Sequence, residues 1–132
     1  MPFRFEFDAE HRILLVIADG EFGDADQIAI VDAIRQHATA LNAAAGIGDY
    51  TGLQSYTASP RAIQAAARQS APYPPDAPRF LVAPNDHVFG ASRMYKAISD
   101  RSAERLRIVR TRREALELLG VPNPKFEPVA SI

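Results

Sequence analysis

The sequence contains no cysteine. This excludes disulfides, thiolate metal sites, iron–sulfur clusters and cysteine nucleophiles together, and it fits a reducing compartment. Lysine is nearly absent, occurring only at Lys96 and Lys125, so arginine carries almost all the basic charge. Neither sign of charge is in excess. The formal net charge of -1 leaves no long-range field to attract nucleic acid or an anionic membrane surface. Long hydrophobic runs are also missing: the longest, Ile13 to Ala18, is far short of a membrane span. The opening MPFRFEFDAE has no apolar segment behind a basic one, as a secretion signal would. These absences predict a cytoplasmic chain with no membrane span and no nucleic-acid partner.

What is present suits one globular core, since 132 residues with 47% hydrophobic composition fall within the range of a single domain. Phe3, Phe5 and Phe7 alternate with Arg4, Glu6 and Asp8, the period of a half-buried strand. RILLVIAD is continuously apolar and branched, as a central strand covered on both faces should be. With the turn at Ala9 and Glu10 between them, the two strands predict an antiparallel hairpin. Asp24 and Gln27 resemble a capping box, and Ile28, Val31, Ile34, Ala38 and Leu41 then recur at helical spacing, giving a helix from about Asp24 to Asn42. Glycines at 46 and 48 weaken the next strand, which is placed over Ile47 to Thr51.

Ser59-Pro60 opens a second helix whose face of Ile63, Ala66 and Ala67 is small, and APYPPDAP then breaks all regular structure. RFLVAP reads as a buried strand, and Asn85 or Asp86 caps a third helix with Val88, Ala91, Met94, Tyr95 and Ile98 on one side. Leu106 and Ile108 alternate with Arg105 and Arg107 in a last strand, expected at a sheet edge where charge discourages unwanted pairing. Thr111 and Glu114 begin a final helix that Gly120 and Pro122 end. The predicted fold is α/β: a small mixed, largely parallel five-stranded sheet with an N-terminal antiparallel hairpin and helices on both faces, in the order ββαβαβαβα. Residues 1–120 form the domain, and residues 121–132 are expected to be an extended or disordered tail.

This order, together with the strings RFLVAPNDHVFGASRMYKAI and LRIVRTRREALELLG, resembles the divergent SpoIIAA-like (STAS/SEC14-like) branch of the STAS superfamily. The resemblance covers about residues 1–120 as architecture. Its more specific part is the strand ending at Pro84-Asn85-Asp86, the Phe89-Gly90 pair, Arg93-Met94 and the ending TRREALELLG. It implies a protein-interaction or small-ligand module. In the regulatory members an Asp-Ser-Ser-Gly sequence carries a phosphorylated serine before the second helix. Here the corresponding stretch is Thr57-Ala58-Ser59-Pro60, without the acidic residue or the glycine. The membrane segment that precedes the domain in sulfate-transporter members has no counterpart in this sequence.

In such sheets ligands gather beyond the carboxyl ends of the strands, where Asp19, Asp49, Thr51, Thr57, Ser59, Asn85, Asp86 and His87 are expected. Ser59 and the Asn85–His87 run also serve as helix caps, and Asp49 can satisfy turn amides. His11, His37 and His87 have no metal-ligand spacing, and the arginines from 101 to 113 alternate with acids as on a solvated surface. No catalytic, cofactor or metal constellation is visible. An enzyme built on Asp49 with His87 ranks below two binding readings. The first is an interaction or regulatory module with a protein partner. The second is a carrier or sensor of a small apolar ligand or lipid, held between the sheet and the second and third helices. The candidate surface comprises Asp49, Thr51, Tyr56, Thr57, Ser59, Asp86, His87 and Arg93, no cofactor is expected, and a homodimer is possible through the edge strand or an apolar helix face.

Overall fold

A computed structural model describes residues 2–69, 73–99 and 105–130 of the chain. The hairpin pairs β1 (Phe3–Asp8) antiparallel with β2 (Ile13–Phe22), Phe5 opposite Val16. Every residue from Ile13 to Ala18 is buried, as the unbroken apolar run requires of a strand covered on both faces. Burying a side chain of this kind is worth ~1.5–3 kcal/mol, so this segment supplies much of the core. From β2 the sheet grows in parallel through β3 (Ala45–Tyr56), β4 (Arg79–Val82) and β5 (Leu106–Val109). The strand order is β5-β4-β3-β2-β1-β6, which places β5 at an edge, as its charged alternation predicts.

The helices are α1 (Asp24–Leu41), α2 (Pro60–Ala67), α3 (Asp86–Ile98) and α4 (Arg112–Leu119). The alternation of β2 sorts them into two layers. Leu14, Val16 and Ala18 face a core that includes Ile30, Val31 and Ala38 of α1 and Ala66 of α2, with Tyr95 of α3 packed against it. Ile13, Leu15 and Ile17 face the opposite core with Ala115 and Leu116 of α4. None of the helices among the described residues is long and apolar enough to cross a membrane.

Four expectations are corrected. The sheet has six strands: the tail is indeed extended, but it docks, with β6 (Glu127–Val129) pairing antiparallel with β1 and Phe126 packing on the α4-side core. Residues 131–132 of that tail lie outside the described residues. The strand placed over Ile47–Thr51 runs from Ala45 to Tyr56, because pairing with β2 along this length offsets the weak strand preference of its glycines. Helix α1 is capped at Gly23, whose amide donates to Asp26 Oδ2 at 2.9 Å, so Asp24 is released for another contact. Ile28, placed on the buried stripe of that helix, is exposed. The other helix starts agree with the sequence: Ser59, Asn85 and Thr111 accept from the amides of Ala62, Val88 and Glu114. Gly120 closes α4 at φ 75°.

Candidate functional site

The residues Gly46, Gly48 and Tyr50 of β3 face the layer of α1, α2 and α3, and the two missing side chains leave space above the strand. Tyr73, on the proline-rich loop, fills part of it: a Cβ at Gly46 would lie 2.2 Å from its phenol oxygen. What remains is a cavity of about 70 Å³ between the sheet and these three helices. Its walls come from Val16, from Ile30 and Val31 of α1, from Ile63 of α2 and from Val88 and Ala91 of α3. The tyrosines Tyr50, Tyr56, Tyr73 and Tyr95 line it together with Gln27, Arg79 and Ser92.

The aromatic residues form a continuous stack towards the carboxyl end of β3. Phe22 lies edge-on to Tyr50 at 5.9 Å and parallel to Tyr56 at 5.8 Å, and Tyr56 meets His87 edge-on at 5.6 Å. The Tyr56 hydroxyl donates to Gln27 Oε1 at 2.7 Å, and a His87 ring nitrogen is 3.0 Å from the Tyr56 carbonyl. Burial, assisted by the negative charge of Asp24, pushes the Tyr56 phenol up to about 12. Burial raises Tyr50 and Tyr73 as well. Neighbouring Tyr56 and Tyr95 add to the effect at Tyr50, while the Arg79 charge opposes it at Tyr73.

Among the candidates chosen from sequence, Tyr56 meets His87 beside the cavity, and Asp49 meets Thr51 on the other face of the sheet. Asp49, 2% exposed, belongs to the α4 side of the sheet, where its carboxylate accepts from Arg112 Nε at 2.8 Å and from the Thr51 amide and hydroxyl at 2.9 and 2.7 Å. It is therefore a structural anchor. His87 is engaged with Tyr56, so the two members of the conceivable acid–base pair have separate partners. The Ser59 amide and hydroxyl both donate to the Asp24 carboxylate while its oxygen caps α2, which occupies the hydroxyl within the fold. Thr57 is exposed, with its amide bonded to the Phe22 carbonyl. Asp86 is exposed and pairs with Arg110, whose guanidinium also lies 4.1 Å above the Phe89 ring. Arg93, which the resemblance singles out, is exposed on α3.

Sequence reasoning missed Tyr50, Tyr73, Gln27 and Arg79 as cavity residues and took Tyr95 for ordinary core. The available signal was Gly-Ile-Gly followed by Asp-Tyr. Two glycines on one face of a buried strand imply that something bulky takes the place of their side chains. Comparison of the chain with protein-family models, with curated proteins and with solved structures finds no match.

Proposed function

We propose that this domain binds a small molecule in the cavity between β2–β4 and helices α1–α3, acting as a carrier or sensor without catalysing a reaction. The observation that carries this reading is the combination of an apolar wall with four tyrosines and a few polar residues around one space, the usual makeup of a ligand pocket. The resemblance to the SpoIIAA-like branch supports it, since small-ligand binding is among the roles that branch implies. The engagement of the Tyr56 hydroxyl with Gln27 and of the Ser59 hydroxyl with Asp24 favours it over contact through those two residues.

Ligand-observed NMR with a set of small apolar and aromatic fragments tests it, using the natural chain and an Ala91→Phe variant that fills the space. Binding by the natural chain, lost in the folded variant, is the expected result. No fragment bound, or fragments bound equally by both chains, would overturn the reading.

A second reading, the protein-interaction module, is favoured by a different feature. Strand β3 continues to Tyr56, well past its last pairing with β4 at Asp49 opposite Val82. Beside this overhang lies an open groove of about 350 Å³, lined by Leu53, Gln54, Ser55, Tyr56, Asn85 and His87 among others. An extended peptide adding a strand there is the partner such an edge suits. Replacing Gln54 and Ser55 with proline should abolish that binding, whereas unchanged capture of the partner would exclude this edge.

A further inference from the structure

A cavity of about 70 Å³ holds roughly two waters at ~30 Å³ each, so a small organic molecule enters only where part of the wall gives way. Most of the wall is fixed. Val16 and Tyr50 belong to β2 and β3, and Phe22 braces Tyr50 edge-on at 5.9 Å. The Tyr56 hydroxyl is tied to Gln27 at 2.7 Å, and Ser92 Oγ to the Val88 carbonyl at 2.8 Å. Ile63 and Val88 are set on helices whose first turns are capped by Ser59 and Asn85. Tyr73 differs. It lies in the loop between α2 and β4, and it makes no hydrogen bond with any described residue, so packing holds its ring, 8% exposed, in the core. The loop is anchored at its far end, where the Pro78 carbonyl accepts from the Gly46 amide at 3.1 Å. It closes on itself through the Ala77 amide and the Pro74 carbonyl at 3.0 Å, and the prolines at 74, 75 and 78 have no amide to add. Withdrawing the Tyr73 ring therefore breaks no hydrogen bond among the described residues. It also uncovers the space above Gly46, where a Cβ would overlap the phenol oxygen and Cζ.

We propose that Tyr73 is a displaceable plug and that the ligand is an uncharged compound with a single aromatic ring, which takes the place of the Tyr73 ring over Gly46 and puts a short substituent into the adjoining cavity. This rests on the ligand-binding reading of the same cavity and specifies it. The seat is already shaped for such a ring: its floor at Gly46 has no side chain, and the edge of the phenol lies directly against it. It requires no polar group, since the Tyr73 hydroxyl sits there without a hydrogen-bond partner among the described residues. A charged ring would lose its hydration among the apolar side chains of Val16, Ile63 and Val88, a cost that an uncharged ring avoids. The ring of the ligand restores the burial that Tyr73 gives up. Its substituent adds apolar area in the space that Tyr73 leaves unfilled, which favours the exchange.

NMR titration of the full chain with ethylbenzene tests the assignment, read at the backbone amides and at 3-fluorotyrosine incorporated at the four tyrosines. The Tyr73 fluorine signal is the one missing from Tyr73→Phe. Ethylbenzene should shift the amides of Gly46 and Gly48 and move that signal to the position of a solvent-exposed fluorotyrosine. Benzene, which lacks the substituent, should bind several-fold more weakly. Tyr73→Ala should bind ethylbenzene at least about tenfold more tightly than the natural chain, because a site open only part of the time has its apparent affinity reduced by that fraction. The fluorine signal of the natural chain keeps the test decisive if Tyr73→Ala fails to fold. A Tyr73 signal that stays at its buried position while ethylbenzene saturates the Gly46 amide would overturn the plug and leave the ligand cavity standing. Equal affinity of the natural chain and Tyr73→Ala would do the same. Tighter binding of 4-ethylbenzoate than of ethylbenzene would overturn the uncharged class. If ethylbenzene shifts these amides in neither chain, the ring seat fails, and the fragment screen decides the cavity reading separately.

Discussion

A carboxylate buried as deeply as Asp8, 1% exposed, would favour its protonated form if burial acted alone. Desolvation does push it upward, but hydrogen bonds from the amides of His11 and Lys125, both at 3.0 Å, outweigh that and hold it below the ordinary aspartate value of 3.8. The His11 ring, 3.3 Å away, adds to the lowering. Because the folded value lies below the unfolded one, this stabilisation is complete above pH 3.8 and is lost as the pH falls through the folded value. Asp8→Asn should therefore cost about 1–3 kcal/mol at neutral pH, because the asparagine NH2 takes the place of one accepting oxygen and faces an N–H donor, and should flatten the acid limb. Urea unfolding at neutral pH and near pH 3 measures both. Gly46 allows a second residue-scale prediction. Its replacement by alanine forces the Tyr73 ring out of its seat and should cost about 1–3 kcal/mol, the range for overpacking a filled site. In a Tyr73→Ala background the same change should cost much less, and a double-mutant cycle reads the difference.

At the scale of elements, the helix layers are attached by different means. Helices α1 to α3 lie on a broad apolar face, whereas α4 has only two turns and buries chiefly Ala115 and Leu116. A helix this short is marginal by itself. The ion pair between Arg112 in its first turn and Asp49 on β3 fixes it to the sheet. Arg112→Ala leaves a nearly buried carboxylate with Thr51 as its remaining partner and should cost about 3 kcal/mol, most of it the desolvation of Asp49. Adding Asp49→Asn should restore part of the loss. Denaturant midpoints of the two single variants and the double variant check the coupling. The tail is an element in the same sense: β6 covers the outer edge of β1, and the Lys125 amide joins it to Asp8 at the hairpin turn. Helix α2 likewise owes its position to Asp24 at the start of α1, which receives both donors of Ser59.

For the molecule as a whole, the tyrosines set an alkaline limit. Tyr56 is held up at about 12 and burial raises Tyr50 and Tyr73 too, so the folded state keeps protons that the unfolded chain releases near 10. Stability is then unaffected below pH 10 and falls as pH rises from there through the folded values. A spectroscopic titration of phenolate absorbance should show these three tyrosines ionising together with cooperative unfolding. Ionisation of Tyr50 and Tyr73 with simple solvent-like behaviour, in a chain still folded, would show that the cavity is open to water on that side.

Elements whose information is local were legible in the sequence. The Phe3-Phe5-Phe7 alternation, the Ile13–Ala18 run, the Ser59-Pro60 start and the Thr111 and Gly120 boundaries each specify backbone geometry within a few residues, and the α/β order follows from them. The rest depended on partners distant in sequence. Residues 50–56 of β3 are a strand chiefly because β2 lies beside them, and the tail is a strand because β1 had an edge to cover. Asp24 bonds Ser59 instead of capping its own helix, a contact across 35 positions. Asp49, conspicuous as a carboxylate near a strand end, proves to be bound to Arg112, 63 positions away. The cavity was the least legible feature, because it is made by what glycines omit and by which tyrosine rings converge on the gap. Local preference determines which segments become strands and helices. Only the tertiary structure decides which side chains face a common space, since that depends on pairing and packing between elements whose sequences carry no record of one another.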